Sequence, residues 1–260
     1  MTFEAFDPMH FAYLGGTLVL MAIALVMIFK FKPSFKVMFT IASIISIVSE
    51  FVKTFSSIEF FKLAGTEELV PYISMAHFPL HLCAIQVFLI LAVWLMKPEN
   101  KLRDALLGFM FPTMIFGAFL ALLLPSELNA LSPRCYQYFI FHGMLVVLGI
   151  YIMSCKEIKI KPIHYLTSIG LLSVFGMVSI YANSLFAQFS FSTVNGETVK
   201  SLEYITNLFF TMRSPVGFLP DFTKEIHWWL YLLCIYLIVF TVFALFYIPV
   251  FVKAKKNKSN

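Results

Sequence analysis

ISMAHFPLHLCAIQVFLILAVWLM, residues Ile73 to Met96, is 24 residues without one Asp, Glu, Lys or Arg. A helix of roughly 20 apolar residues crosses the ~30 Å hydrocarbon layer of a bilayer. The rest of the chain repeats the pattern. Of its 260 residues 60% are apolar and 13% charged, where a soluble domain carries about 25% charged residues. The expected fold class is therefore all-α, a polytopic membrane protein. The 31 phenylalanines are lipid-compatible bulk and call for no cofactor. Within the opening run, His77-Phe78-Pro79-Leu80-His81-Leu82-Cys83 sets two imidazoles and a thiol among apolar neighbours. Ionisable groups are expensive in hydrocarbon and are seldom kept there without a partner or a task.

Working outward, the apolar runs predict about seven transmembrane helices in a single domain over residues 1–260. They lie near 10–29, 37–53, 72–96, 105–124, 136–153, 163–188 and 228–252. The first residues hold Glu4 and Asp7 and no basic residue. A secretory signal starts basic, so the first span is expected to be retained. The first, third and fifth connections and the tail carry 13 Lys and Arg, and the alternate loops carry 6. The positive-inside rule then predicts the N-terminus outside and the C-terminus inside. Residues 189–225 become an outer loop insertion, and 253–260 a Lys-rich cytoplasmic tail. In that insertion Asn195-Gly196 is a hairpin-turn signal. Leu202, Ile205, Leu208 or Phe209, and Met212 recur at the spacing of a short interfacial helix. Trp228 and Trp229 fall where an aromatic belt belongs.

This orientation assigns depths. At ~1.5 Å per residue, Cys83 is expected ~15 Å below the outer surface, His142 ~9 Å and Asn183 ~7 Å. Glu50 lies within a turn or two of the same surface. Glu50, His77, His81, Cys83, His142 and Asn183 thus converge on one leaflet. On a continuous helix His77 and His81 share a face, while Cys83 turns ~200° from His81 and has Gln86 on its side. The Cys83 face is preferred, with a partner from another helix.

Each group has a plainer reading. Cys83 is a candidate nucleophile, for a thiolate beside a base takes an acyl group as a thioester; it is also a small apolar packer. His142, beside Gly143, is a base, a relay or an interhelical hydrogen bond. His77 and His81 at i and i+4 lack an evident third ligand, so no metal site and no cofactor are expected. Glu50 has Lys53 one turn on, as a snorkelling pair does. Asn183 and Asn207 orient polar groups or pack helices. Cys135, Cys155 and Cys234 are read as structural. Nothing in the chain points to nucleic acid, and nothing names a protein partner.

The motifs also carry a resemblance. Pro79 with Leu80-His81-Leu82-Cys83, Phe141-His142-Gly143, and Asn207-Leu208-Phe209-Phe210 followed by Arg213 and Pro215 resemble segments of the YwaF family of bacterial integral membrane proteins. The likeness runs roughly from Pro71 to Phe240, and Leu208 stands where an aromatic is usual. That family is similar to a eukaryotic transmembrane acyltransferase that remodels phospholipids. The resemblance implies Cys83 as nucleophile and His142 as base in a multi-pass protein of the cell membrane. His81, His77, Gln86, Asn183, Asn207 and Glu50 would support them, and Arg213 would hold a head-group phosphate. Membrane lipids are the expected partners. The competing reading is a transporter or lipid-binding protein with an outer-leaflet polar pocket. No inverted repeat or pair of broken helices favours transport.

Overall fold

A computed structural model describes residues 2–62, 67–74, 77, 79–125, 128–189, 192–194, 197–199, 207–212 and 225–259. Among them are seven α-helices: α1 (Pro8–Phe31), α2 (Phe35–Ser56), α3 (Leu82–Leu95), α4 (Lys101–Leu123), α5 (Pro133–Ser154), α6 (Ile163–Phe189) and α7 (Glu225–Ser259). All but α3 are long and apolar enough to cross a membrane. Three short antiparallel ribbons accompany them, β1 (Thr2–Phe3) with β4 (Leu128–Asn129), β2 (Ile58–Lys62) with β3 (Leu69–Ile73), and β5 (Ser192–Val194) with β6 (Glu197–Val199). In the last, Val194 pairs with Glu197, the register a two-residue hairpin loop demands. Asn195 and Gly196 themselves lie outside the described residues.

The expected third span is overturned in its first half. Instead of a helix from Tyr72, β3 occupies Leu69–Ile73, His77 sits in a single helical turn, and Pro79 and Leu80 form a turn. Proline has no N–H to bond the preceding turn, and its ring clashes with a helical carbonyl. Helix α3 therefore starts only at Leu82, and its 14 residues reach ~21 Å. His77 and His81 do not share a helix face, and the ~15 Å depth reckoned for Cys83 along a continuous helix no longer holds.

Contacts divide the chain into two compact units. The first holds α1 to α5. Helix α5 packs on α4, α2 and α1, and two glycines let the neighbours close in. A methyl on Gly143 would sit 2.9 Å from the Thr17 methyl of α1. One on Gly149 would sit 2.7 Å from Ile115 Cγ1 and 3.1 Å from the Phe111 carbonyl of α4. Around this contact Leu107, Phe109, Met110, Phe111, Met114, Leu122 and Leu145 are wholly enclosed. The outward faces of α1 and α2 leave Leu18, Val19, Ile23, Val26, Ile44 and Val48 exposed, as lipid-facing helices do.

The C-terminus of α4 shows why polar side chains gather at one end of this unit. Its last carbonyls lack intrahelical donors. Leu120 O accepts from the Leu124 N–H at 2.9 Å. The next acceptor, Ala121 O, would need the N–H that Pro125 does not have. The Tyr138 hydroxyl supplies that donor at 2.6 Å. Leu122 O takes His10 Nε2 at 2.8 Å, while His10 Nδ1 accepts the Phe6 N–H. The Tyr13 hydroxyl donates to Ala130 O, and Gln137 Nε2 reaches Ser49 Oγ at 2.6 Å.

The second unit is made of α6, α7 and the segment between them, with residues 78–82. Asn183 is fully buried and grips the backbone of Leu208 with both ends of its amide. Oδ1 accepts the Leu208 N–H at 2.9 Å and Nδ2 donates to Leu208 O at 3.1 Å. Nδ2 also reaches Thr211 Oγ1 at 3.0 Å. Trp228 and Tyr231 of α7 close the clasp, donating to Thr211 O and Phe210 O at 2.9 and 2.6 Å. The interfacial helix expected through Leu208 and Met212 is therefore not formed over these residues. Asn183 engages both Leu208 backbone groups, and a 3-10 turn (Leu208–Phe210) replaces the helix. Phe209 and Phe210 hold φ of 56° and 54°, a left-handed conformation costly for such side chains.

Candidate functional site

Two of the expected residues, Cys83 and His142, belong to the first unit. His142, in the middle of α5, is 8% exposed. Its Nδ1 lies 2.7 Å from the carbonyl of Tyr138, one turn back. A carbonyl only accepts, so Nδ1 carries the proton, and in the neutral ring Nε2 holds the free lone pair. The Tyr138 ring packs on the imidazole with centroids 4.3 Å apart, and Phe141 meets its edge at 5.7 Å. The ring is thus fixed in both tautomer and plane. Tyr138 is thus the residue that orients the imidazole, by its carbonyl and by its ring.

Cys83 sits in the first turn of α3, partly exposed and outside any disulfide. One turn on, Gln86 is buried. Its Nε2 donates to Thr113 Oγ1 of α4 at 2.9 Å, and that hydroxyl back-bonds to Phe109 O and Met110 O. Gln86 Oε1 is enclosed and has no partner, leaving a buried acceptor on the Cys83 side of α3.

The other expected residues divide. The His77 ring faces the Arg134 guanidinium, with N–N distances of 3.2 and 3.3 Å. Arg134 only donates, so just one of these two contacts, at the ring nitrogen that carries the lone pair, is a hydrogen bond. His81 lies in the bend just before α3. Glu50 pairs with Lys53 at 2.6 Å, the surface pair its spacing suggested. Asn183 belongs to the clasp of the second unit, and Asn207 Oδ1 accepts the Met212 N–H at 3.1 Å there. Arg213 lies outside the described residues. No three His, Cys, Asp or Glu side chains gather as a metal would need among the described residues.

Tyr138 and Arg134 were not singled out from sequence. Their signal was available, since both precede His142 at helical spacing, by four and eight residues. They form one stripe of α5 running from the polar end of the unit down to the imidazole.

A family model matches residues 5–247, nearly the whole chain. The chain belongs to the TMEM164 family. Cys83, Tyr138 and His142 all fall inside that match, so these residues are part of the TMEM164 body of the molecule. No curated protein and no solved structure matches the chain.

Proposed function

We propose that this TMEM164-family membrane protein is a thiol-dependent lipid acyltransferase, with Cys83 as nucleophile and His142 as base. The observation that carries the reading is the fixed tautomer of His142. A ring with Nδ1–H tied to a backbone carbonyl presents Nε2 as a ready acceptor, the arrangement a general base needs. The YwaF-like motifs around Cys83 and His142 lend it further support.

The position of Cys83 adds a second feature. The first N–H groups of a helix have no intrahelical partners, and Cys83 stands among those of α3. In the reaction the Cys83 proton passes to His142 Nε2, and the sulfur attacks the ester carbonyl of a phospholipid. The carbonyl oxygen, now negative, takes hydrogen bonds from the free N–H groups at the start of α3. The ester C–O bond breaks, the departing alcohol takes the proton from His142, and the acyl chain stays on Cys83 as a thioester. An acceptor hydroxyl then gives its proton to His142, attacks the thioester and releases the thiol. Gln86, held to Thr113, acts as a support on the Cys83 side of α3. Membrane lipids are both partners, in the cell membrane, with the N-terminus outside and the C-terminus inside. Arg213, Asn207, Asn183, Glu50, His81 and His77 act, where they act, as supports.

The purified protein, given phospholipid with a radiolabelled acyl chain, is expected to acquire label that hydroxylamine releases. Cys83→Ala is expected to acquire none, and His142→Ala to label at least ~100-fold more slowly, the usual weight of a general base. Label retained in Cys83→Ala ends the nucleophile assignment. Unaltered labelling in His142→Ala ends the dyad. A folded protein that binds phospholipid and never acquires label favours the lipid-binding alternative.

A further inference from the structure

At the opposite end of the first unit, where α2 and α4 begin and α5 finishes, a cation is buried without an acid. Arg103 is 3% exposed. Its guanidinium carbon lies 3.9 Å from the centroid of the Phe35 ring, and Nη1 donates to the Pro98 carbonyl at 3.2 Å. Nε is enclosed and has no partner. Among the described residues no carboxylate oxygen comes within 4.0 Å of the guanidinium. The nearby acids are placed otherwise. Glu157 Oε1 accepts the Phe35 N–H at 3.3 Å, while Glu99 and Asp104 flank Arg103 in sequence and form no ion pair with it.

A buried charge persists only with compensation from partners. An aromatic face and one carbonyl compensate a guanidinium in part. The surroundings work against it. Helix α4 starts at Lys101 and α2 at Phe35, the residue beneath the guanidinium, so two positive helix ends approach the same cation. Lys32, Lys36, Lys97 and Lys101, all exposed, add charge of the same sign along the adjoining segments. Glu157 and Asp104 stand at the starts of α2 and α4, but among the described residues neither pairs with the guanidinium.

The guanidinium itself shows what is missing. With Nη1 taken by Pro98, the remaining edge is Nε with Nη2, and Nη2 carries no hydrogen bond and is not enclosed. Two parallel N–H groups on one planar edge match two oxygens of a phosphate. We propose that Arg103, backed by Phe35 and by the starts of α2 and α4, is a binding site for a phosphate anion, the headgroup phosphate of an anionic membrane lipid or free phosphate. The site is independent of Cys83 and His142. The phosphate enters at Nη2 and draws the Nε edge out of its unsatisfied state. Bound there it ties together the α1–α2 turn, the start of α4 and the end of α5, whose Tyr151 hydroxyl already reaches Pro33 O at 3.0 Å.

The test is thermal unfolding of the delipidated full-length protein in neutral detergent, titrated with phosphatidylglycerol, phosphatidylcholine or inorganic phosphate. Phosphatidylglycerol is expected to raise the Tm of the unaltered protein in a saturable way, and phosphatidylcholine to do so only at much higher concentration. An equal rise with inorganic phosphate identifies free phosphate as the ligand. Arg103→Lys keeps the charge without the planar edge and is expected to weaken apparent binding about tenfold, one charge-assisted hydrogen bond's worth. Arg103→Gln is expected to abolish the response, and Lys101→Gln to leave it nearly intact. The site is overturned if no addition shifts the unaltered protein, or if Arg103→Lys responds as the unaltered protein does. The first of these needs no variant to fold.

Discussion

At the residue scale, His142, Tyr138 and Gly149 show three kinds of dependence on neighbours. His142 was visible in the sequence as a histidine in an apolar run, but its tautomer was not. That depends on the Tyr138 carbonyl one turn away. Tyr138 was missed because a tyrosine in an apolar helix draws no notice. Its role as donor to Ala121 O follows from Pro125, in another part of the chain. Tyr138→Phe leaves that carbonyl buried and unpaired, so we expect a loss of ~1–3 kcal/mol, read as an earlier urea midpoint with the slope unchanged. Gly149→Ala forces a methyl against Ile115 and the Phe111 carbonyl. Backbone cannot yield as a side chain does, and we expect a loss of ~1–3 kcal/mol by the same measurement. Gly15 and Gly16 have nothing within 4 Å of an added methyl, so alanine at either is expected to be neutral or to stabilise α1 by up to ~1 kcal/mol. Equal effects at Gly149 and Gly16 would refute the packing account.

At the scale of elements, the apolar runs located all seven helices, because length and apolarity largely define them, and misplaced the start of α3. They failed between Tyr72 and His81, where apolar residues occur without helix. Pro71 and Pro79 were the local signal, and the pairing of β3 with β2 was the non-local fact that composition does not carry. The same limit applies to Asn183 and Asn207. Both were read as polar orienters or helix-packing residues, yet only the folded clasp shows that Asn183 holds Leu208 and Thr211. Removing the amide strands the Leu208 N–H, while Leu208 O keeps the Thr211 N–H and hydroxyl. Asn183→Leu is thus expected to destabilise the second unit by ~1–3 kcal/mol, with Trp228 fluorescence shifting as its bond to Thr211 O loosens. Asn207→Ala forfeits the bond to the Met212 N–H and is expected to lose ~1 kcal/mol. If Asn207→Ala proves the more damaging, the clasp is not what orders this segment.

At the scale of the whole molecule, the short α3 raises the question of how many times the chain crosses. Basic residues alone do not answer it. Seven crossings with the N-terminus outside place 13 Lys and Arg on the inner side against 6. Six crossings, with residues 57–100 returning to the side they left and the N-terminus inside, place 12 there against 7. Both leave the tail inside. Packing within the first unit separates them. The α1–α2 turn reaches the end of α5 through Pro33 and Tyr151, and the start of α4 through Phe35 and Arg103. Near the same end Trp94 donates to Thr40 Oγ1 at 2.9 Å. The far end of α2 meets the start of α5 through Ser49 and Gln137. Between Ser56 and Lys101 the chain therefore passes from one end of the unit to the other, which supports an odd number of crossings. The sharpest position is then Lys32, inside for seven crossings and outside for six. With the native cysteines replaced, single cysteines at positions 32 and 255 are expected to resist an impermeant maleimide in intact cells and to label after permeabilisation. Labelling at 32 alone in intact cells would return the chain to six crossings, in which the α1–α2 turn lies outside while the start of α4 stays inside, against the contact of Phe35 with Arg103.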